Sequence, residues 1–352
     1  MTVFFLEYGL FLLQAITIVL AVVLTVVGVI AASSKGGRNN AAQLEIKSLN
    51  EKYDDLKADI ESVLLTDDEL KQQAKAAKKK AKLKKAKAKI SSEEDAGENT
   101  KPRIFVIDFD GDIKASAADN MRDEITAILT VAKPTDEVLL RLESGGGMVH
   151  AYGFAASQLK RIKNADIKLT VAVDMVAASG GYMMACLADR IIAAPFAILG
   201  SIGVVAQVPN FHRLLKKNDV DYDTFTAGEF KRTVTMFGEN TEQGKSKFVE
   251  ELEDTHVLFK QFVAENRDIV DLEAVATGEA WFGVRALENN LVDELLTSDE
   301  YLFASRKIAD IFSVGFAEKL TLVEKLGIGV QNGVTGAAEK IATQMANSRF
   351  MR

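Results

Sequence analysis

Asp174-Met175-Val176-Ala177-Ala178-Ser179-Gly180-Gly181-Tyr182 follows an apolar, partly β-branched run at 168–173 and closes it with small residues, one hydroxyl and two glycines. A strand that turns sharply into a helix needs residues without bulk, which Ala177, Ala178, Gly180 and Gly181 supply. The stretch predicts a helix at 182–188 whose free N-terminal N–H groups and positive dipole end aim at Ser179. Two readings of Ser179 fit: a nucleophile, or the N-cap of that helix, a position serine favours.

On the N-terminal side of this turn, residues 104–109 read as a buried strand and 116–132 as a helix with Met121, Ile125, Ile128 and Leu129 on one face. A second strand is expected at 138–142, a helix at 149–162, and a third strand at 168–173. This β-α-β-α alternation predicts an α/β fold with a largely parallel sheet covered by helices, its sites at the carboxyl ends of strands. Two Gly-rich turns fall at such ends. The first, Arg141-Leu142-Glu143-Ser144-Gly145-Gly146-Gly147-Met148, brings bare backbone N–H groups to a helix start and suits an oxyanion, a tight turn or a phosphate. It lacks the Lys-Ser/Thr ending of a P-loop and the spacing of a dinucleotide fingerprint.

A serine nucleophile needs a base. His150 sits in the first turn after the glycines, and His212 and His256 lie on expected helices without a motif. A lysine serves instead if an apolar site removes its charge; bringing a lysine from ~10.4 to near 7 favours the neutral form by ~4 to 5 kcal/mol. Lys231, in Phe225-Thr226-Ala227-Gly228-Glu229-Phe230-Lys231-Arg232, follows an expected strand beside aromatics and a glycine; a surface lysine fits equally. The long helix expected at 241–267 carries Phe248, Leu252, Thr255, Leu258, Phe259 and Phe262 near one face, suited to subunit or domain packing.

The chain has 352 residues, room for two or three domains, and a net charge of −7. Residues 1–100 hold 15 Lys+Arg against 14 Asp+Glu, and the rest 28 against 36, so the body is acidic and a nucleic-acid partner is not expected. Cys186 is the lone cysteine, which excludes an internal disulfide and suits core packing. The three histidines show no zinc-ligand spacing with it, and no metal is expected. Residues 8–34 carry no charge and would form a helix about 40 Å long at ~1.5 Å per residue, enough to cross a bilayer. A cleaved signal peptide is the alternative, but the run is long and Glu7, not Lys or Arg, precedes it. Lys35, Arg38, Lys47 and Lys52 lie just beyond it, which favours a cytoplasmic side for the domain on that side of the span. Leu44, Leu49, Leu56, Ile60, Val63 and Leu64 show helical spacing within 41–70, and ten lysines crowd 71–89 in a solvated spacer that would also attract anionic lipid.

These segments resemble the protease IV (signal peptide peptidase A) family of bacterial Ser-Lys endopeptidases along nearly the whole chain, through Val292-Asp293-Glu294. The resemblance implies a ClpP/crotonase-like peptidase fold, polypeptide substrates such as signal-peptide remnants or misfolded membrane segments, a homo-oligomer, an inner-membrane location and no cofactor. It makes Ser179 the nucleophile and Lys231 the base, with Ser201 of Gly200-Ser201-Ile202-Gly203-Val204 orienting the lysine. Gly180 and either Gly146 or Gly147 would hold the oxyanion. Where the family's loop reads Ser-Pro-Gly-Gly, this chain has Gly145, which loosens the turn without removing its donors. Thr277 to Gly283 resembles the family's closing signature, with Trp281 and Phe282 as packing residues. The expected organisation is an anchor at 1–34, a spacer at 35–101, a peptidase domain at 102–300 and a helical tail at 301–352. A crotonase-like acyl-CoA enzyme and a non-catalytic membrane scaffold are the rival classes.

Overall fold

The computed structural model describes residues 9–10, 13–14, 17, 43–66, 68–69 and 101–317. Two units divide the chain, Met1–Glu45 with Phe316–Arg352, and Ile46–Gly315. In the first unit the described positions near the N-terminus are helical. The rest of the apolar stretch at 8–34, the lysine-rich run and the tail beyond 317 lie outside the described residues. Among the described residues no helix is long and apolar enough to cross a membrane.

The second unit is built on a parallel sheet. Its strands are β2 (Arg103–Gly111), β3 (Glu137–Ser144), β4 (Lys168–Val173), β6 (Arg190–Ala193), β9 (Glu294–Leu295) and β10 (Asp310–Ala317), in the order β10-β2-β3-β4-β6-β9. Near-continuous apolar runs such as Ile104-Phe105-Val106-Ile107 mark strands covered on both faces. One cover is the pair α2 (Ala118–Leu129) and α3 (Val149–Asn164), which bury Met121, Ile125, Ile128, Leu159 and Ile162. On the other face Ile104, Val106, Leu139, Ala172 and Ile192 form one cluster with Tyr301 and Leu302 of α9 (Ser298–Ser305), and Leu49, the first residue of α1 (Leu49–Leu64), packs against it.

The sheet branches at the end of β3. Through Arg141 that strand pairs with β4, but Ser144 pairs with Ala177 of β5 (Val176–Ala178). Strand β5 in turn pairs with β7 (Ile198–Gly200), to which β8 (Ala280–Phe282) adds antiparallel. The remaining helices are α4 (Gly180–Ala185), α5 (His212–Lys217), α6 (Glu242–Asn266), α7 (Leu272–Val275) and α8 (Gly283–Glu288). Thr241 caps α6 by accepting the Gly244 N–H.

The strand expected at 168–173 and the long helix are found within a residue of the expected bounds. Other expectations are corrected. Leu44 lies in strand β1 (Gln43–Ser48), not in the helix after it. No strand precedes Lys231; from 219 to 241 the backbone is irregular, and no residue from 205 to 241 is buried, so nothing there holds a strand in a core. The segment expected to open a helical tail at 301 instead completes α9 and supplies β10, which pairs with β2 from Asp310↔Arg103 onward. Cys186 is buried, as core packing requires, and burial pushes its thiol up to about 12.

Asp136, 3% exposed, ties the starts of β2 and β3 together. Its carboxylate accepts the Arg103 N–H, Nε–H and Nη2–H at 3.0, 3.1 and 2.5 Å and the Lys133 N–H at 2.8 Å. Burial opposes the charge, but the Arg103 side chain, the two backbone donors and the Arg103 charge outweigh it and hold the carboxyl below the usual range. A depressed carboxyl stabilises above its unfolded pKa, ~3.9, and loses that contribution as pH falls through the folded value. Asp136→Asn is therefore expected to lose about 2 kcal/mol at neutral pH, a gap that narrows below pH ~4. Urea unfolding at pH 7 and pH 3 checks this; an equal gap at both would contradict it.

Candidate active site

The branch at β3 sets the site. Because β5 pairs with β3 on one side and β7 on the other, the chain leaves three neighbouring strand ends at Ser144, Ala178 and Gly200. The glycine loop, Ser179 and Ser201 follow directly, so residues separated by 22 positions in the sequence become neighbours. The register Ala178↔Gly200 and the bond from the Ser179 N–H to the Gly200 carbonyl, 2.8 Å, fix this placement.

Ser179 has φ 52° and ψ −119°, a conformation costing a residue with a β-carbon on the order of 1–3 kcal/mol. Ser201 repeats the feature with φ 49°. The helix after Ser179 begins at Gly180 and ends at Ala185, two residues earlier at its start and three at its end than the spacing predicts. Ser179 occupies its N-cap position, yet the hydroxyl makes no capping bond, so the purely capping reading fails. Instead the half-buried side chain opens onto two cavities.

One cavity, about 200 Å³, is apolar: Val149, Met183, Val204, Leu258, Phe259 and Phe262 form its walls. The face of α6 expected to pack against another subunit or domain thus supplies a wall of this cavity. The other, about 570 Å³, is a cleft of mixed character bounded by the glycine loop, Ser201, Val204, Val205, His256 and Gly278. Ser201 donates to the Gly278 carbonyl at 3.3 Å, and its N–H donates to Glu279 at 2.7 Å, so the closing signature holds the Ser201 turn.

The glycine loop lies against the serine turn. Gly146 has φ 86°, and a β-carbon there would stand 2.7 Å from the Gly180 nitrogen and 2.8 Å from the Ser179 β-carbon. Any side chain at 146 would fill the space before the Gly180 N–H. The Gly146 N–H is already taken by Ser144 Oγ at 3.0 Å. Among the described residues the Gly147 N–H, like that of Gly180, has no hydrogen-bond partner. A β-carbon on Gly147 would stand 2.2 Å from the Ile113 carbonyl oxygen.

Lys231 is not in this constellation. It is exposed, its N–H bonds to the Gly228 carbonyl at 3.2 Å, and it lines neither cavity that Ser179 opens onto. His256 does line the cleft, with Nε2 3.2 Å from the Ile202 carbonyl oxygen. A carbonyl only accepts, so Nε2 carries the proton. His150 is exposed on α3, and His212 stands on α5 outside both cavities. Sequence reasoning missed Tyr152, which underlies the serine turn, and the cleft position of His256; neither sits in a recognisable motif, since helical spacing marks only a face. Trp281 and Phe282 line neither cavity; Phe282 packs edge-on against Phe196.

Comparison with known proteins bears on this geometry. The chain matches the family models described as Peptidase family S49 N-terminal, over residues 3–159, and Peptidase family S49, over residues 161–311. It is 52% identical over 341 residues to "Probable protease SohB" of Haemophilus influenzae, covering 96% of both chains. Over 303 residues it is 46% identical to "Probable protease SohB" of Buchnera aphidicola subsp. Schlechtendalia chinensis, covering 86% of this chain and 99% of that one. "Protease 4" of Haemophilus influenzae is 29% identical over 210 residues, 57% of this chain and 34% of its own length.

The loop's crowding is uneven, and that is testable without any substrate. Gly147→Ala must displace the Ile113 carbonyl and is expected to cost about 1–3 kcal/mol, a drop of several degrees in Tm. Gly145→Ala meets nothing within 4 Å and should leave Tm within about one degree of wild type. Differential scanning calorimetry of both variants decides; equal losses would mean the loop is packed differently.

Proposed function

This chain belongs to peptidase family S49 and is a serine-type peptidase, and we propose that it is a membrane-anchored endopeptidase working through a Ser179–Lys231 dyad. The observation that carries the reading is Ser179 itself: an uncapped hydroxyl on a strained turn, facing an apolar cavity on one side and a glycine-lined cleft on the other.

In this mechanism the neutral Lys231 amine takes the Ser179 proton as Oγ bonds to the peptide carbonyl carbon. The N–H groups of Gly180 and Gly147 receive the developing oxyanion, an arrangement typically worth several kcal/mol in a dry site. The lysine ammonium then passes its proton to the departing amine, leaving an ester on Ser179. Water, deprotonated by the same amine, attacks that ester and the serine recovers its proton. Ser201, in the same cleft, orients the lysine. The apolar cavity takes an apolar side chain next to the scissile bond, so apolar polypeptides such as signal-peptide remnants or misfolded membrane segments are the substrate class.

The branched sheet is read as ClpP/crotonase-like, and residues 8–34 as a single pass through a bacterial inner membrane, with the flanking lysines and Arg38 favouring a cytoplasmic peptidase domain. The lysine-rich spacer would lie near anionic lipid. The acyl-CoA reading finds no support among relatives named as proteases.

Lys231 reaches the cleft either by closure of its own irregular segment or from a second copy of the chain. The segment favours the second route: it exposes Phe225 at 94% and Val205 at 79%, surfaces a homo-oligomer would cover. Ser179→Ala and Lys231→Ala are each expected to lower kcat by ~10⁴-fold on an apolar peptide. Co-expressed, the two inactive chains should regain a fraction of the activity if the lysine acts across copies, and none if it acts within one. Hydrolysis persisting in either single variant would falsify the dyad.

A further inference from the structure

Tyr152 is fully buried in α3, beneath the apolar cavity, and lies against both Ser144, at the root of the glycine loop, and the Gly180 turn. Its ring underlies Gly180, where a β-carbon would stand 2.4 Å from Tyr152 Cγ. Its hydroxyl donates to the Asp112 carbonyl at 2.7 Å and lies 2.5 Å from Ser144 Oγ, which accepts the Gly146 N–H at 3.0 Å. The proton order is set by the two ends. The Gly146 N–H can only donate and the Asp112 carbonyl can only accept, so the chain runs Gly146 N–H to Ser144 O–H to Tyr152 O–H to Asp112 C=O. Each bond polarises the next in the same sense. Burial raises the Tyr152 phenol pKa, the Ser144 contact partly opposing, so the hydroxyl keeps the proton this order requires.

We propose that Tyr152 is a positioning residue for oxyanion stabilisation, holding the glycine loop through Ser144 and the Gly180 turn through its ring. This rests on Ser179 being the nucleophile. The chain of hydroxyls takes up the Gly146 N–H and leaves the Gly147 N–H, which has no partner among the described residues, as the loop's free donor. It also does the work of a rigid residue at 145: Gly145 lies in open space, and a loop of three consecutive glycines has no stiffness of its own. The constraint comes from outside the loop, from a tyrosine on the next helix.

The role has a kinetic signature. A positioned donor acts on charge that exists only in the transition state, so its loss lowers kcat and leaves KM unchanged. Tyr152→Phe keeps the ring under Gly180 and removes only the hydroxyl; Ser144 then has the Gly111 carbonyl, 3.4 Å away, as its remaining acceptor. The measurement is steady-state hydrolysis of a fluorogenic apolar peptide by the full chain, with amide exchange of Gly146 followed by NMR. Tyr152→Phe and Ser144→Ala are each expected to lower kcat about tenfold with KM within twofold, and the double variant to fall little further, since both break one chain. Gly146 exchange should accelerate in each. Adding Gly145→Pro to Tyr152→Phe should recover most of the lost kcat by stiffening the loop from within. The proposal is overturned if Tyr152→Phe and Ser144→Ala retain wild-type kcat and slow Gly146 exchange while Ser179→Ala is inactive. If Ser179→Ala itself hydrolyses the peptide, the nucleophile reading fails first and takes this one with it.

Discussion

The parallel pairing of Ser144 with Ala177, and of Ala178 with Gly200, is the constraint on which the rest of the site depends. A strand has two edges, and β5 uses both, one against the end of β3 and one against β7. All three of its residues are in register with β7, and Ala177 is held from the β3 side as well, which fixes the Ser179 turn at its end. That turn pays for its fixed position with an unfavourable backbone, which persists because the ladder on both sides and the buried helix α4 over-determine it.

The environment around Ser179 is divided by element. Helix α6 contributes hydrocarbon, through Leu258, Phe259 and Phe262, and the loops after β3 and β7 contribute backbone and hydroxyl groups. An apolar wall next to bare N–H donors is a favourable setting for charge that develops during a reaction, because the donors face little competition from water.

Against this order, the chain from 205 to 241 is a stretch that buries none of its residues, although it contains Phe225, Phe230 and Lys231. A segment that buries no residue fully gains less from folding alone than a core strand does. Phe211 and Tyr222 pack on Phe237, whereas Phe225 stands 94% exposed. Strand register sets the Ser179 turn, and no strand register acts on this segment.

The alternation of apolar strands with amphipathic helices was legible in the sequence, because burial on both faces of a parallel sheet requires unbroken apolar runs such as Ile104 to Ile107. So was the Ser179 turn, since small residues and glycines around one hydroxyl leave few other conformations. Leu44 and the expected strand before Lys231 differ from their sequence pattern because a few apolar residues fit helix, strand or loop until packing chooses. The early start of α4 and the place of residues 310–313 beside β2 rest on contacts far away along the chain. The difference between Gly146 and Gly147 was likewise invisible, for it lies in their neighbours: Ser144 takes the Gly146 N–H, whereas a β-carbon on Gly147 would meet the Ile113 carbonyl. Local composition determined where this chain turns and which residues carry reactive groups. Only the tertiary structure decided which of those groups meet, because hydrogen bonds such as that from Tyr152 to Asp112 join residues whose sequence separation carries no pattern.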